Sequence, residues 1–144
     1  MKIYRVTECS AELTEAFARL LPQLSAAAKL PSEEHIGNIL SNPNNHLFVA
    51  EAESRIVGML SLVVVDIPTG RKAWIEDVVV DSEARGLHIG QLLVERAIAE
   101  SQSLGAKSVN LTSNPSRRAA HALYLKCGFE VYDTALFRLN LPAK

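Results

Sequence analysis

Residues 74–90 read Trp-Ile-Glu-Asp-Val-Val-Val-Asp-Ser-Glu-Ala-Arg-Gly-Leu-His-Ile-Gly, and few folds accommodate such a run. Ile75, Val78, Val79 and Val80 are β-branched and suit a pleated, buried strand. Glu76 and Asp77 interrupt the apolar run, where a carboxylate is costly unless paired or used. Arg85-Gly86-Leu87-His88-Ile89-Gly90 then forms a tight turn into an amphipathic run from Ile89 to Leu104. A glycine-containing turn at a helix start leaves backbone N–H groups free and lets an anion approach them. No Ser, Thr, Asp or Asn stands immediately before Ile89 to cap those groups. Arg85 adds a positive charge at the positive end of the helix, which costs about 0.3–1 kcal/mol without an anion. These features point to a phosphate site. The plainer alternative is a helix capped earlier, by Asp81 or Ser82, that tolerates two glycines.

The rest of the composition bounds the answer. At 144 residues the chain suits one domain, residues 1–144, with a proper core. Hydrophobic residues at 48% and charged residues at 22% describe a globular chain. A net charge of −1 gives no support to a nucleic-acid partner. No apolar run approaches a membrane span, and Met-Lys-Ile-Tyr-Arg is unlike a signal sequence, so a cytoplasmic protein is expected. Cys9 and Cys127 read as two reduced thiols. His35, His46, His88 and His121 have no metal-ligand spacing, and no metal is expected.

Along the chain, Lys2 to Val6 alternates as a first strand. Glu12 to Leu30 carries a helical stripe at Leu13, Phe17, Leu20, Leu21 and Leu24, with Pro22 kinking or dividing it. Pro31-Ser32-Glu33-Glu34 opens a second helix with Ile36, Ile39 and Leu40 on its apolar face. Asn42-Pro43-Asn44-Asn45 is a turn. Paired strands follow over Leu47–Glu51 and Ile56–Val65, with Gly58 marking a bulge or close packing, and the Trp74 strand runs antiparallel to its predecessor. Gly105 ends the next helix. Lys107 to Thr112 is a strand parallel to the Trp74 strand, because a helix crosses between them. Asn114-Pro115 combines an N-cap with Pro at the first helical position. Ala119, Ala120, Leu123, Tyr124 and Cys127 share a face of that last helix, and Phe129–Tyr132 and Ala135–Leu139 read as closing strands. The expected order is β-α-α-β-β-β-α-β-α-β-β, an α/β fold with a mixed, mostly antiparallel twisted sheet and helices on both faces.

Two parts of this pattern resemble one family. Val80, Arg85, Gly86, Ile89 and Gly90 are similar to the acyl-CoA motif of the GNAT superfamily of N-acyltransferases, Arg/Gln-x-x-Gly-x-Gly/Ala. His88 stands where that motif has its first glycine, so the backbone there must keep negative φ or accept strain. Asn114 to Phe129 resembles the family's closing Asn…Ala…Leu-Tyr-x-x-x-Gly-Phe segment, and the order of elements is the family's as well. The Ile75-Glu76-Asp77 run is also similar to that of glucosamine-6-phosphate N-acetyltransferases, a likeness that does not extend to a substrate.

The resemblance implies acetyl-CoA as co-substrate and direct attack by a primary amine. It implies that backbone groups of Val78, Val79 and Val80 pair with the pantetheine arm, and that the pyrophosphate lies on N–H groups of Gly86, Leu87, His88, Ile89, Gly90 and Gln91 beside Arg85. Asn114 and Arg117 are further candidates for cofactor contact, although capping alone explains Asn114, and a solvated helix face is the simpler account of Arg117, Arg118 or Lys126.

Glu76 is the candidate base. An alkyl amine with pKa near 10.4 is only about 0.1% neutral at pH 7.4. A carboxylate matches the task better if burial raises its pKa. Asp77 is expected on the opposite side of the strand unless a bulge inverts the pair. Tyr124 matches the family's general acid toward the departing thiolate. Donation from a pKa near 10 to one near 8.5 is uphill by roughly 2 kcal/mol, so hydrogen-bond stabilisation is expected at least as much as full transfer. Cys127 has no evident activating base and is not expected to act as a nucleophile.

The expected function is acetyl transfer to a primary amine: a small molecule, an aminoglycoside-like compound or a peptide amine. Acceptor-binding side chains are expected from the N-terminal helices, residues 42–45 and the last strands. A catalytically silent acyl-CoA-binding or regulatory module is the alternative. No nucleic acid or membrane partner is expected, and monomer or homodimer remain equally open.

Overall fold

The structure is a computed structural model that describes residues 1–143. Its elements are β1 (Lys2–Val6), α1 (Ala11–Leu24), α2 (Glu33–Ser41), β2 (Asn45–Ala52), β3 (Arg55–Ile67), β4 (Gly70–Val80), α3 (Ile89–Ser103), β5 (Val109–Asn110) and α4 (Arg118–Lys126). The strands form one sheet in sequence order, antiparallel from β1 to β4 and parallel between β4 and β5. This is the mixed, mostly antiparallel α/β class expected from the sequence.

Each sheet face has its own core. On one, Phe48, Leu60, Leu62, Ala73 and Ile75 meet Ile89, Leu93, Val94 and Ala97 of α3 and Tyr124 of α4. On the other, Leu47, Val49, Met59 and Val79 meet Leu13, Phe17 and Leu20 of α1 and Ile36 of α2. Each fully buried aliphatic or aromatic side chain of this kind contributes about 1.5–3 kcal/mol. Gly58 lets α3 approach β3, since a Cβ there would lie 3.1 Å from Ile89 Cγ2 and 3.2 Å from Leu93 Cδ1. A residue larger than glycine at 58 would push the start of α3 outward.

Local signals fixed most helix ends. Ser10 Oγ accepts from Leu13 N–H and Ser32 Oγ from His35 N–H, both at 3.1 Å, which caps α1 and α2. Gly105 lies just beyond α3 with φ +75°, where a left-handed residue closes the last turn.

Four expectations need correction. The first helix contains Pro22 but stops at Leu24 rather than Leu30, because Ser25 turns extended behind the proline. The last helix starts at Arg118, because Asn114 closes a separate turn: its Oδ1 accepts from Ser116 N–H (2.9 Å) and Oγ (2.8 Å). The strand at 107–112 pairs only at Val109 and Asn110. Phe129–Tyr132 and Ala135–Leu139 form no strands, because alternation sets which face is apolar but supplies no partner edge. Beyond Phe129 the one backbone hydrogen bond among the described residues is Thr134 N–H to Tyr132 O.

Candidate active site

The sheet is split beside the carboxylates. β4 pairs with β5 at Ala73↔Val109 and Trp74↔Asn110 and no further, so the β5-facing edge of residues 75–80 has no strand neighbour among the described residues. On its other edge β4 stays paired to β3, with a register shift that sets Leu60 against both Asp77 and Val78. Asp77 takes φ +51° at this bulge. The bulge brings Glu76 and Asp77 to the same opening, where strict alternation would separate them. Asp77 would face away from the cleft in a regular strand, and the bulge is the exception that sets it there beside Glu76.

The resulting cleft holds about 170 Å³ and is lined by Glu76, Asp77, Val78, Leu111, Arg117 and Tyr124, among others. It therefore joins both candidate catalytic residues with Val78 and Arg117. Leu111 had no chemical signal in the sequence, whereas Asp77 stood out with Glu76 as a carboxylate inside an apolar run. Arg117 reaches the cleft as the residue preceding α4, whereas Arg118 and Lys126 do not line it. Asn114 is occupied in its own turn and does not line the cleft either.

The electrostatics differ between the two candidates. The protein crowding the Glu76 carboxyl raises its pKa above the ordinary carboxylate value, the nearby Asp77 raises it further, and Arg138 opposes both. Tyr124 is buried, with its ring edge-on to Phe129 at 6.0 Å between centroids. Burial pushes its pKa above 10.0, so the phenol is held in its protonated form. Burial also pushes the Cys127 thiol up, away from the thiolate a nucleophile requires.

The turn before α3 is built as the sequence suggested, with one strained position. Asp81 caps only a short 3₁₀ turn, Ser82–Ala84, by accepting from Glu83 N–H at 3.1 Å. Helix α3 itself has no side-chain cap. Its first ladder bond runs from Leu92 N–H to His88 O at 3.1 Å, so the N–H groups of Ile89, Gly90 and Gln91 have no helical acceptor. Gly86 has φ +89°, a conformation suited to glycine. His88 has φ +58° and ψ +25°, so the strained alternative is the one realised. Leu87 and Arg85 are exposed, and Arg85 makes no salt bridge among the described residues. Ile89 is buried in the core, which fixes where the helix starts. Gly90 lies against α4, where a Cβ would meet Leu123 Cδ2 at 3.3 Å. Val79 packs toward α1 while Val78 and Val80 pack on the opposite face, so all three present backbone rather than side chains to the split edge.

A clamp not foreseen from sequence fixes this turn to α1. Arg19 Nη1 donates to Asp81 Oδ2 (2.9 Å), Arg19 Nη2 donates to Ile56 O (2.9 Å), and Ser82 N–H donates to Gln23 Oε1 (2.9 Å). Its partners lie 37 to 62 residues apart in sequence, which leaves no local pattern to find. Among the described residues no group of three or more His, Cys, Asp or Glu side chains could hold a metal ion. Nor is any helix among them long and apolar enough to cross a membrane.

The model of the acetyltransferase (GNAT) family matches residues 10–129. Among curated proteins, a probable glucosamine 6-phosphate N-acetyltransferase 2 of Oryza sativa is 32% identical, over 80% of this chain and 74% of the relative. N-acetyltransferase 8 of Homo sapiens is 30% identical over 82% of this chain, and an aminoalkylphosphonate N-acetyltransferase of Salmonella typhimurium is 34% identical over 63%. The chain spans 58% and 60% of the lengths of those two relatives. In fold it is similar to an aminoglycoside acetyltransferase from an uncultured soil metagenomic sample, with TM-score 0.87, 23% identity and coverage of 98% and 96% of the two chains. It is likewise similar to the glucosamine-6-phosphate N-acetyltransferase of Arabidopsis thaliana, with TM-score 0.80, 24% identity and coverage of 96% and 99%.

Proposed function

The chain belongs to the GNAT acetyltransferase family, and from that premise we propose that it transfers an acetyl group from acetyl-CoA to a primary amine by direct attack. It acts as a single domain over residues 1–144, in the cytoplasm, without a metal. The observation that carries the reading is the split between β4 and β5, which leaves a backbone edge free beside a cleft holding Glu76 and Tyr124.

The parts divide the work. The unpaired edge of Val78, Val79 and Val80 hydrogen-bonds the pantetheine arm as an added strand would. One of its N–H groups stabilises charge developing on the thioester oxygen. N–H groups from Gly86 to Gln91, with Leu87, His88, Ile89 and Gly90 between, receive the pyrophosphate, and Arg85 supplies a cation there. Arg117 adds a second cation at the cleft. Asn114 serves the site only by shaping the turn that leads to Arg117.

Glu76 takes the amine's proton, directly or through a water, as the nitrogen bonds to the carbonyl carbon and the carbon–sulfur bond breaks. Its raised pKa brings it closer to the amine's than an ordinary carboxylate would be. Tyr124 hydrogen-bonds the leaving sulfur. Because burial raises its pKa, full proton donation to a thiolate is further uphill than for a free tyrosine. Stabilisation by the intact O–H is therefore its role, and solvent completes the thiol.

A small amine bearing a phosphate or phosphonate is the acceptor class to try first, since relatives named for a sugar phosphate and an aminoalkylphosphonate match this chain at above 30% identity. Thiol release from acetyl-CoA across a panel of such amines, aminoglycosides and peptide amines tests the reading. Amine-dependent release by the wild type, largely lost in Glu76→Gln, is expected. Release that no amine accelerates, with acetyl-CoA bound, would identify a silent binding module instead.

A further inference from the structure

Residues 85–88 cross from β4 to α3 with little to hold them. Arg85, Gly86, Leu87 and His88 are all exposed, and the nearest buried side chains are Ala84 before them and Ile89 after them. The one backbone hydrogen bond in this stretch, among the described residues, is the ladder bond that His88 O accepts from Leu92 N–H. The place of the turn is therefore set from its two ends.

At the α3 end, Ile89 is locked into the core. At the β4 end, Ala84 reaches the same core, and a set of hydrogen bonds does the rest. Asp81 N–H donates to Val57 O at 2.8 Å, and Arg19 Nη1 holds Asp81 Oδ2 at 2.9 Å. Gln23, in the last turn of α1, joins these parts. Its Oε1 accepts from Ser82 N–H (2.9 Å), while its Nε2 donates to Asp81 Oδ1 (3.4 Å) and to Arg19 O (3.2 Å). Gln23 is exposed and belongs to neither core, so its contribution is this set of bonds.

An anion at this turn draws N–H groups from two sources, Ile89 to Gln91 at the helix start and Gly86 to His88 in the turn. The helix start is rigid with the core. The turn keeps its place only while Ser82 and Asp81 stay fixed to α1. We infer, on the reading of residues 86–91 as the pyrophosphate site, that Gln23 is a positioning residue for the cofactor, holding the turn in its receiving geometry before the cofactor arrives. A loop ordered in advance binds more tightly, because the cost of ordering it does not fall on the binding step. Gln23 acts through Ser82 and Asp81 rather than by contact with the cofactor. Its neighbour Leu24 lines the cleft beside Glu76, so a change at this turn of α1 is read against a ligand that lacks the pyrophosphate.

Isothermal titration of the full chain with CoA, and with pantetheine in competition against CoA, tests this in the wild type and in Gln23→Leu. Leucine is close to glutamine in helix preference, and the position is exposed, so the fold is kept, which circular dichroism checks. Gln23→Leu is expected to raise the Kd for CoA about tenfold and to leave that for pantetheine unchanged. An unchanged Kd for CoA overturns the inference. An equal loss for both ligands overturns it too, because the contact would then act through the cleft or the fold as a whole. A wild type that binds pantetheine as tightly as CoA removes the pyrophosphate site itself, and the role of Gln23 with it.

Discussion

The Arg19 guanidinium on α1 donates to the Asp81 carboxylate at 2.9 Å, and Asp81 is the residue at which β4 becomes the turn into α3. Asp81 is buried and Arg19 nearly so. Removing one member of such a pair leaves the other charge buried and unpaired, at a cost of about 3–5 kcal/mol. Arg19→Ala is therefore expected to lower the melting temperature by roughly 10 °C for a domain of this size, as measured by calorimetry. A fall of only a degree or two would show that water satisfies Asp81 unaided.

The same carboxylate gives the fold an acid limit. The Glu83 N–H bonded to Asp81 is the largest cause of its lowered pKa, with Gln23 and Arg19 adding to it. A carboxylate whose pKa is lower folded than unfolded stabilises the fold above its unfolded pKa and loses that contribution as pH falls through the folded one. Urea midpoints are thus expected to drop from about pH 4 downward in the wild type, and to drop less in Asp81→Asn, which starts less stable. Equal slopes in the two proteins would remove Asp81 as the cause.

His88 explains why the family's motif has glycine at this position: the backbone there is left-handed. A non-glycine residue is strained by about 1–2 kcal/mol in that region, offset in part by the 0.5–1 kcal/mol that glycine loses to entropy. His88→Gly is expected to raise stability by about 0.5–1 kcal/mol in urea unfolding and to keep acetyl-CoA binding. Destabilisation would mean that the imidazole makes a contact worth more than the strain.

The raised pKa of Glu76 sets the sign of two measurements. As a base it must be ionised, so activity is expected to rise with pH through a value above the ordinary carboxylate range. Asp77→Asn, which removes the second-largest cause of the shift, should move that limb toward acid. A raised pKa also means that ionised Glu76 destabilises the fold at neutral pH, since its stabilising form is the protonated one. Glu76→Gln is accordingly expected to lose about 10²-fold or more in kcat while melting slightly higher at pH 7. A variant that loses activity and stability together would point to a structural role.

Tyr124→Phe separates the hydroxyl from the ring. The ring's edge-on contact with Phe129 survives, so stability is expected to change by no more than about 1 kcal/mol. Turnover should fall by at least tenfold with the KM for acetyl-CoA little changed, which steady-state kinetics resolves. A change confined to KM would place the hydroxyl in binding instead.

Local chemistry was legible in the sequence, and long-range geometry was not. Ser32, Gly105 and the turn at Arg85–Gly90 announce themselves through capping and φ requirements that neighbouring residues set. Glu76 stood out as a charge inside an apolar strand. The bulge that turns Asp77 into the same cleft depends on the register against β3, which no alternation pattern contains. The Arg19–Asp81 clamp depends on tertiary placement of α1. Residues 129–139 show the converse, a sound period-2 pattern without a partner strand among the described residues.

Acetyl-CoA at 100 times its dissociation constant stabilises a protein by about 2.7 kcal/mol, several degrees of melting temperature for a domain of this size. The most direct measurement is therefore the thermal shift produced by acetyl-CoA in the wild type and in Arg85→Glu, a substitution at an exposed residue in the turn before the uncapped start of α3, without a salt-bridge partner among the described residues. The account predicts a clear shift in the wild type that is largely lost in the variant. No shift in either at millimolar acetyl-CoA, or an equal shift in both, would contradict the assignment of that turn as the cofactor's phosphate site.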